Sequence, residues 1–171
     1  MIRLVVMGVA GCGKSTLGAA LARALGCRFV EGDDYHLPES QRKMRAGIAL
    51  DDADREPWLA AGVGVFAAEP GEIVVACSAL KSAYRDRLRQ AASPLHFIYL
   101  GITEAESLRR VGQRAGHFYP ASLVASQFAA LQDPTGETGV LALDAAAPPD
   151  VLAHRAAQWL AVVIGRPVSV R

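Results

Sequence analysis

The chain of 171 residues contains no asparagine, so it cannot carry the Asn-Lys-x-Asp motif with which GTP-binding switches read guanine. It is also poor in lysine: of its 18 lysines and arginines, only Lys14, Lys43 and Lys81 are lysines. Charge of one sign is not in excess either. A formal net charge of +1 argues against a protein that coats nucleic acid, which needs a marked basic surplus. Three cysteines, Cys12, Cys27 and Cys77, show no CxxC spacing and cannot all pair within one chain, which fits a reducing cytoplasm. No hydrophobic run approaches the roughly 18 residues of a membrane helix. The apolar start Ile2-Arg3-Leu4-Val5-Val6-Met7 runs directly into a glycine-rich loop without the small-residue cleavage site of a signal peptide, so no membrane association is expected.

What is present is a folded-protein composition, 51% hydrophobic and 20% charged, at a length suited to one domain. Five runs rich in β-branched residues, 2–8, 28–32, 72–78, 95–100 and 139–144, read as strands, most of them continuously apolar as strands covered on both faces are. Between them Leu17, Leu21 and Leu25 share a helical face, as do Leu123, Val124, Phe128 and Leu131, and later Leu152, Ala156, Trp159 and Leu160. This alternation predicts an α/β fold with a five-stranded parallel sheet and helices on both faces. Two connections, 33–70 and 101–138, exceed what a crossover requires; they are expected to hold a substrate-binding insertion and, at about 109–122, a lid.

Gly8-Val9-Ala10-Gly11-Cys12-Gly13-Lys14-Ser15 satisfies G-x-x-x-x-G-K-[ST] at the end of the first strand. Glycines let the backbone curl so that successive N–H groups point at phosphate oxygens, and the helix that follows adds its positive end. Gly8, Val9, Ala10, Gly11, Cys12, Gly13, Lys14, Ser15 and Thr16 are therefore read as the nucleotide site, with Lys14 reaching the β- and γ-phosphates and the Ser15 hydroxyl as a ligand of Mg²⁺. Many such proteins end a second apolar strand in a metal-holding aspartate, but here the strand Ile73-Val74-Val75-Ala76 runs into Cys77-Ser78-Ala79. The acidic groups lie instead in Glu31-Gly32-Asp33-Asp34. Transfer of a phosphoryl group to an alcohol needs a carboxylate to accept the hydroxyl proton, and Asp33 is the candidate; Asp34 is the residue expected to cap the turn. Asp133-Pro134-Thr135-Gly136 spells D-x-x-G but follows a helix late in the chain and reads as a turn.

Gly32-Asp33-Asp34-Tyr35-His36-Leu37-Pro38, Lys43-Met44-Arg45-Ala46-Gly47 and Leu50-Asp51-Asp52-Ala53-Asp54-Arg55-Glu56-Pro57-Trp58-Leu59 closely resemble the gluconate kinase family. The resemblance continues through Cys77-Ser78-Ala79-Leu80-Lys81, Tyr84-Arg85-Asp86, Phe97-Ile98-Tyr99-Leu100, Gly116-His117-Phe118 and Gln127-Phe128, and so spans about residues 3–144. It implies the three-layer phosphate-loop fold shared with shikimate and adenylate kinases, ATP-dependent phosphorylation of D-gluconate to 6-phosphogluconate, and a homodimer. A kinase for another sugar acid, polyol or shikimate-like substrate is the alternative, and a switch that only binds ATP is a second.

An anionic linear polyol calls for cations and polar groups. Lys43 and Lys81, in matched segments of a chain that otherwise uses arginine, are candidates, as are His36 and His117. Arg85 lies four residues after Lys81, so the two could share a helix face and a carboxylate; an ordinary helix-surface cation is the other reading of Arg85. Arg110 and Arg114, also four apart, are expected to project from the lid and steady the transferring phosphoryl group, with Arg109 able to substitute for either. Asp51, Asp52, Asp54 and Arg55 are read as the scaffold of a helix start before Trp58.

Overall fold

The computed structural model describes residues 1–113 and 120–170. In chain order the elements are β1 (Arg3–Met7), α1 (Lys14–Leu25), β2 (Arg28–Glu31), a 3₁₀ turn (Gly32–Tyr35), α2 (Pro38–Arg45), α3 (Asp52–Ala68), β3 (Ile73–Ala76), α4 (Ser82–Ala91), β4 (His96–Gly101), α5 (Glu104–Gly112), α6 (Ala121–Ala130), β5 (Val140–Asp144) and α7 (Pro149–Ile164). The five strands form one parallel sheet in the order β2-β3-β1-β4-β5. Each expected strand is present, with ends within a residue or two of those expected.

The sheet separates two apolar layers because side chains alternate along a strand. On β1, Leu4 and Val6 join α1 and α7 through Leu17, Leu21, Leu152, Ala156 and Leu160. Val5 and Met7 face the other way and pack with Trp58, Leu59 and Phe66 of α3 and Leu88 of α4. Both faces of the sheet are thus covered, which is why its strands read as unbroken apolar runs.

β1 sits between β3 and β4, and the chain leaves it first toward β2 on one side and only later enters β4 on the other. In open α/β sheets the crevice at such a reversal, beyond the carboxyl ends of the strands, is where ligands bind. The loop 8–13 and the 3₁₀ turn both emerge at that edge. α2 and α3 fill the first long connection. α3 starts with a reciprocal cap in which Asp51 accepts from the Asp54 amide and Asp54 from the Asp51 amide, and this start, with burial of Trp58, Leu59 and Phe66, carries the helix through Pro57. Among the described residues no helix is long and apolar enough to cross a membrane.

Candidate active site

The loop between β1 and α1 is shaped by positive φ at Gly8, Gly11 and Gly13. A Cβ on Gly8 would stand 2.8 Å from the Leu100 carbonyl oxygen, so only glycine fits where the loop leaves the sheet. Gly13 caps α1, whose first residues are Lys14 and Ser15. Lys14 Nζ donates to the Val9 carbonyl oxygen at 3.1 Å, folding the side chain across its own loop.

A cleft of about 390 Å³ opens beside this loop. It is lined by Ala10, Gly11, Gly13, Lys14 and Ser15 of the loop and helix start, by Asp33, Asp34 and His36, and by Arg45 from the end of α2, Arg55 from α3, Ser78 and Leu80 after β3, and Gln127 from α6. A phosphate-binding loop, a carboxylate pair and two arginines therefore share one cleft. Asp34 lines the cleft, and the Gly32–Tyr35 turn, where it was expected as a cap, has no side-chain cap.

His36 is nearly buried and lies flat on Trp58, with ring centres 5.2 Å apart. The Trp58 Nε1 donates to the Gly32 carbonyl oxygen at 2.9 Å, which ties α3 to the turn carrying Asp33. Burial pushes the His36 pKa below its ordinary 6.5, Asp33 pulls it up and Arg55 adds to the lowering. Its Nδ1 is buried without a hydrogen-bond partner among the described residues. Glu31, at the end of β2, has its carboxyl pushed above the usual 4.5 by burial, with the nearby Ser15 hydroxyl acting the other way and Asp33 raising it again. Its Oε1 is likewise buried and unpartnered.

Other expected substrate contacts are held elsewhere. Lys43 Nζ bonds Asp54 at 2.6 Å, and Lys81 Nζ bonds both Asp52 oxygens at 2.7 and 2.9 Å; neither lysine lines the cleft. Arg85 does not line it either, nor does it lie on the helix surface. It is 1% exposed, pairs with Glu137 through Nε at 3.1 Å, and donates from Nη1 to the carbonyls of Ala79 and Leu80, both at 3.0 Å. Burial this deep requires every guanidinium donor to find an acceptor, and backbone carbonyls supply them. Arg110 bonds Glu106 and the Ala145 carbonyl oxygen rather than projecting into the cleft. Arg114 and His117 lie outside the described residues.

Arg45, Arg55 and Gln127 were not singled out in the sequence as cleft residues. Arg55 follows the capping aspartates and so reads as scaffold, while Arg45 is one of several cations on α2 with no spacing to distinguish it. Cys77 is fully buried and its thiol is pushed up to about 12 by burial, which removes it from consideration as a nucleophile.

The chain resembles known proteins along most of its length. A family model described as an AAA domain matches residues 4–136. A gluconokinase of Gluconobacter oxydans (strain 621H) is 41% identical over 160 residues, covering 87% of this chain and 85% of that protein. The crystal structure of a gluconokinase from Sinorhizobium meliloti 1021 superposes with a TM-score of 0.88 at 45% identity, covering 95% of this chain and 93% of the other. A shikimate kinase from Bacteroides thetaiotaomicron shares the fold, with a TM-score of 0.69 at 16% identity over 93% and 98% of the two chains. With a glycine-rich phosphate loop at the switch of a parallel sheet and this similarity along most of its length, the chain belongs to the gluconokinase family of phosphate-loop kinases.

Proposed function

We propose that this protein transfers the γ-phosphoryl group of ATP to the 6-hydroxyl of D-gluconate, giving 6-phospho-D-gluconate and ADP. The observation that carries the reading is the shared cleft, lined by Asp33 and the Lys14–Ser15 end of the phosphate loop together with Arg45 and Arg55. The names of the relatives supply the acceptor, and two arginines suit an anionic one.

In the proposed reaction the 6-hydroxyl oxygen attacks the γ-phosphorus in line, the bond from phosphorus to the β,γ-bridging oxygen breaks, and the hydroxyl proton passes to the Asp33 carboxylate. Lys14 leaves the Val9 carbonyl for the β- and γ-phosphates, and the loop amides with the start of α1 hold the remaining charge. Arg45 and Arg55 bind the gluconate carboxylate, and His36, kept neutral by burial, offers hydrogen bonding to the polyol. α2 and α3, within 33–70, form the acceptor-binding insertion, and about 109–122 form the lid; for Arg110 to act with Arg114 on the transferring group it exchanges Glu106 and the Ala145 carbonyl for the phosphoryl oxygens. Lys43 and Lys81 act one step removed, by holding Asp54 and Asp52 at the start of α3.

The residues present fit Mg²⁺: the Ser15 hydroxyl interacts with the Glu31 carboxyl, whose Oε1 is buried without a partner among the described residues, and both groups are hard oxygen donors. No cluster of three or more His, Cys, Asp or Glu suited to a metal occurs among the described residues, which suits an ion held mainly by nucleotide phosphates. Ser15, with Glu31 behind it, would hold the ion, which neutralises phosphate charge when bound. Three free cysteines accord with a cytoplasmic enzyme.

The test is turnover with ATP across a panel of gluconate, other aldonic acids, polyols and shikimate. Gluconate is expected to give the highest kcat/KM. A different acid turning over faster would sink the assignment, and nucleotide binding without acceptor-dependent ADP release would turn the reading toward a switch.

A further inference from the structure

Ala10 is the third residue of the phosphate loop, and both of its backbone polar groups are bonded to side chains far away in sequence. Its N–H donates to Gln127 Oε1 on α6 at 2.6 Å. Its carbonyl oxygen accepts from Ser107 Oγ on α5 at 2.7 Å, and Ser107 is wholly buried. α5 presses on the loop at the next residue as well: a Cβ on Gly11 would stand 3.1 Å from the Ser107 carbonyl oxygen and 3.2 Å from Val111 Cγ2.

A trans peptide is planar, with its N–H and C=O pointing in opposite directions. The Ala10 N–H therefore shares a rigid plane with the Val9 carbonyl, the group that accepts from Lys14 Nζ, so Gln127 orients the acceptor on which Lys14 rests. The Ala10 carbonyl shares its plane with the Gly11 N–H. Drawing that carbonyl outward to Ser107 turns the Gly11 N–H the other way, toward the cleft that Gly11 lines. Gly11 has φ +76 and, as a glycine, gives the backbone little steric resistance to rotation, so an external hold on the preceding plane matters most here.

We propose that Ser107 and Gln127 are positioning residues for the nucleotide's phosphate groups, fixing two successive peptide planes of the loop so that the Gly11 amide and Lys14 are set before the nucleotide arrives. A nest of amides binds phosphate tightly only if the planes need no reorientation on binding. This inference rests on the nucleotide-binding reading of the loop and not on the identity of the acceptor.

The experiment is calorimetric titration of the full chain with Mg·ADP in the absence of acceptor, together with steady-state kinetics and thermal midpoints, on Ser107→Ala, Gln127→Met, the double variant and Ser107→Thr. Each single removal is expected to weaken Mg·ADP binding and raise the ATP KM about tenfold, the order expected for losing one well-made hydrogen bond. The acceptor KM stays within about twofold and the midpoint within a few degrees. Because the two bonds hold adjoining planes as one unit, the double variant falls well short of the roughly hundredfold product of the singles. Ser107→Thr, which keeps the hydroxyl, recovers most of the affinity. The proposal is overturned by single variants that bind Mg·ADP within twofold of the parent, by losses that multiply in the double variant, by a threonine variant no better than alanine, or by acceptor KM and midpoint deteriorating in step with nucleotide affinity. Since no acceptor is present in the titration, a wrong acceptor assignment leaves this result standing.

Discussion

The imidazole of His36 lies parallel to the indole of Trp58, planes 6° apart, while the same indole donates through Nε1 to the carbonyl of Gly32. One α3 side chain thus supports both the turn that carries Asp33 and the histidine beside it. Trp58→Phe keeps an aromatic ring but deletes the donor. It is expected to cost about 1–3 kcal/mol by leaving the buried Gly32 carbonyl without a partner. Urea unfolding measures that cost, and acceptor KM should rise while Mg·ADP affinity holds. An unchanged acceptor KM would separate the stack from substrate binding.

Acid should destabilise the fold through His36. Its pKa is lowered by burial from 6.5, so as pH falls through 6.5 the unfolded chain takes up a proton that the folded chain resists, and stability drops. His96, also lowered by burial, acts with the same sign. Glu31, raised by burial above 4.5, acts oppositely, since the folded state holds its proton to higher pH than the unfolded state does. Comparison of His36→Gln with the parent isolates the first effect: between pH 7.5 and 5.5 the variant should lose less stability in denaturant titrations. Equal losses would show that His36 is not held neutral.

Arg85 separates a structural role from a substrate role. Arg85→Met leaves the Ala79 carbonyl without its guanidinium donor, the Leu80 carbonyl with the Gln132 amide alone and Glu137 short of one partner, a loss of about 2 kcal/mol or more. Ala79 sits at φ +43, a left-handed conformation that a non-glycine residue keeps only when its surroundings impose it. Unfolding midpoints should therefore fall together with activity. Lost activity at full stability would restore Arg85 as a substrate contact.

Asp33→Asn should lower kcat by about 10²–10⁴, the range for removal of a general base, and leave Mg·ADP affinity nearly unchanged. Near-normal kcat would remove Asp33 as the proton acceptor.

For the carboxylate, Arg55→Met should raise the gluconate KM by at least about tenfold, as loss of a charge-assisted bond implies, with the ATP KM within about twofold. Gluconate and an uncharged polyol of the same length, measured side by side, give the readout: the variant should lose the preference for the acid. A preference that survives would assign the carboxylate elsewhere.

Strand order along the chain, the parallel sheet and the phosphate loop were legible because each rests on local rules. Apolar runs mark strands buried on both faces, leucines at helical spacing mark α1, and Gly8, Gly11 and Gly13 are where the backbone must take positive φ. The acidic turn after β2 was equally visible, since Glu31, Asp33 and Asp34 are consecutive or nearly so and any short turn groups them, although the bond that ties the turn to Trp58 was not.

Which cations face the cleft was decided by the tertiary structure. Lys43, Lys81, Arg85 and Arg110 are cations as Arg45 and Arg55 are, and no spacing shows which of them face the cleft. The difference is a matter of which carboxylate or carbonyl each meets once the helices pack: Asp54 for Lys43, Asp52 for Lys81, Glu137 and two carbonyls for Arg85, Glu106 and Ala145 for Arg110. Those partners lie up to 52 residues away along the chain. The sequence by itself determined the sheet, the phosphate-binding loop and the kinase family, because periodicity and local backbone conformation carry that information. The packing of α2 to α6 decided which charges are left facing the substrate, because a buried or paired cation is satisfied by neighbours that only folding brings within reach.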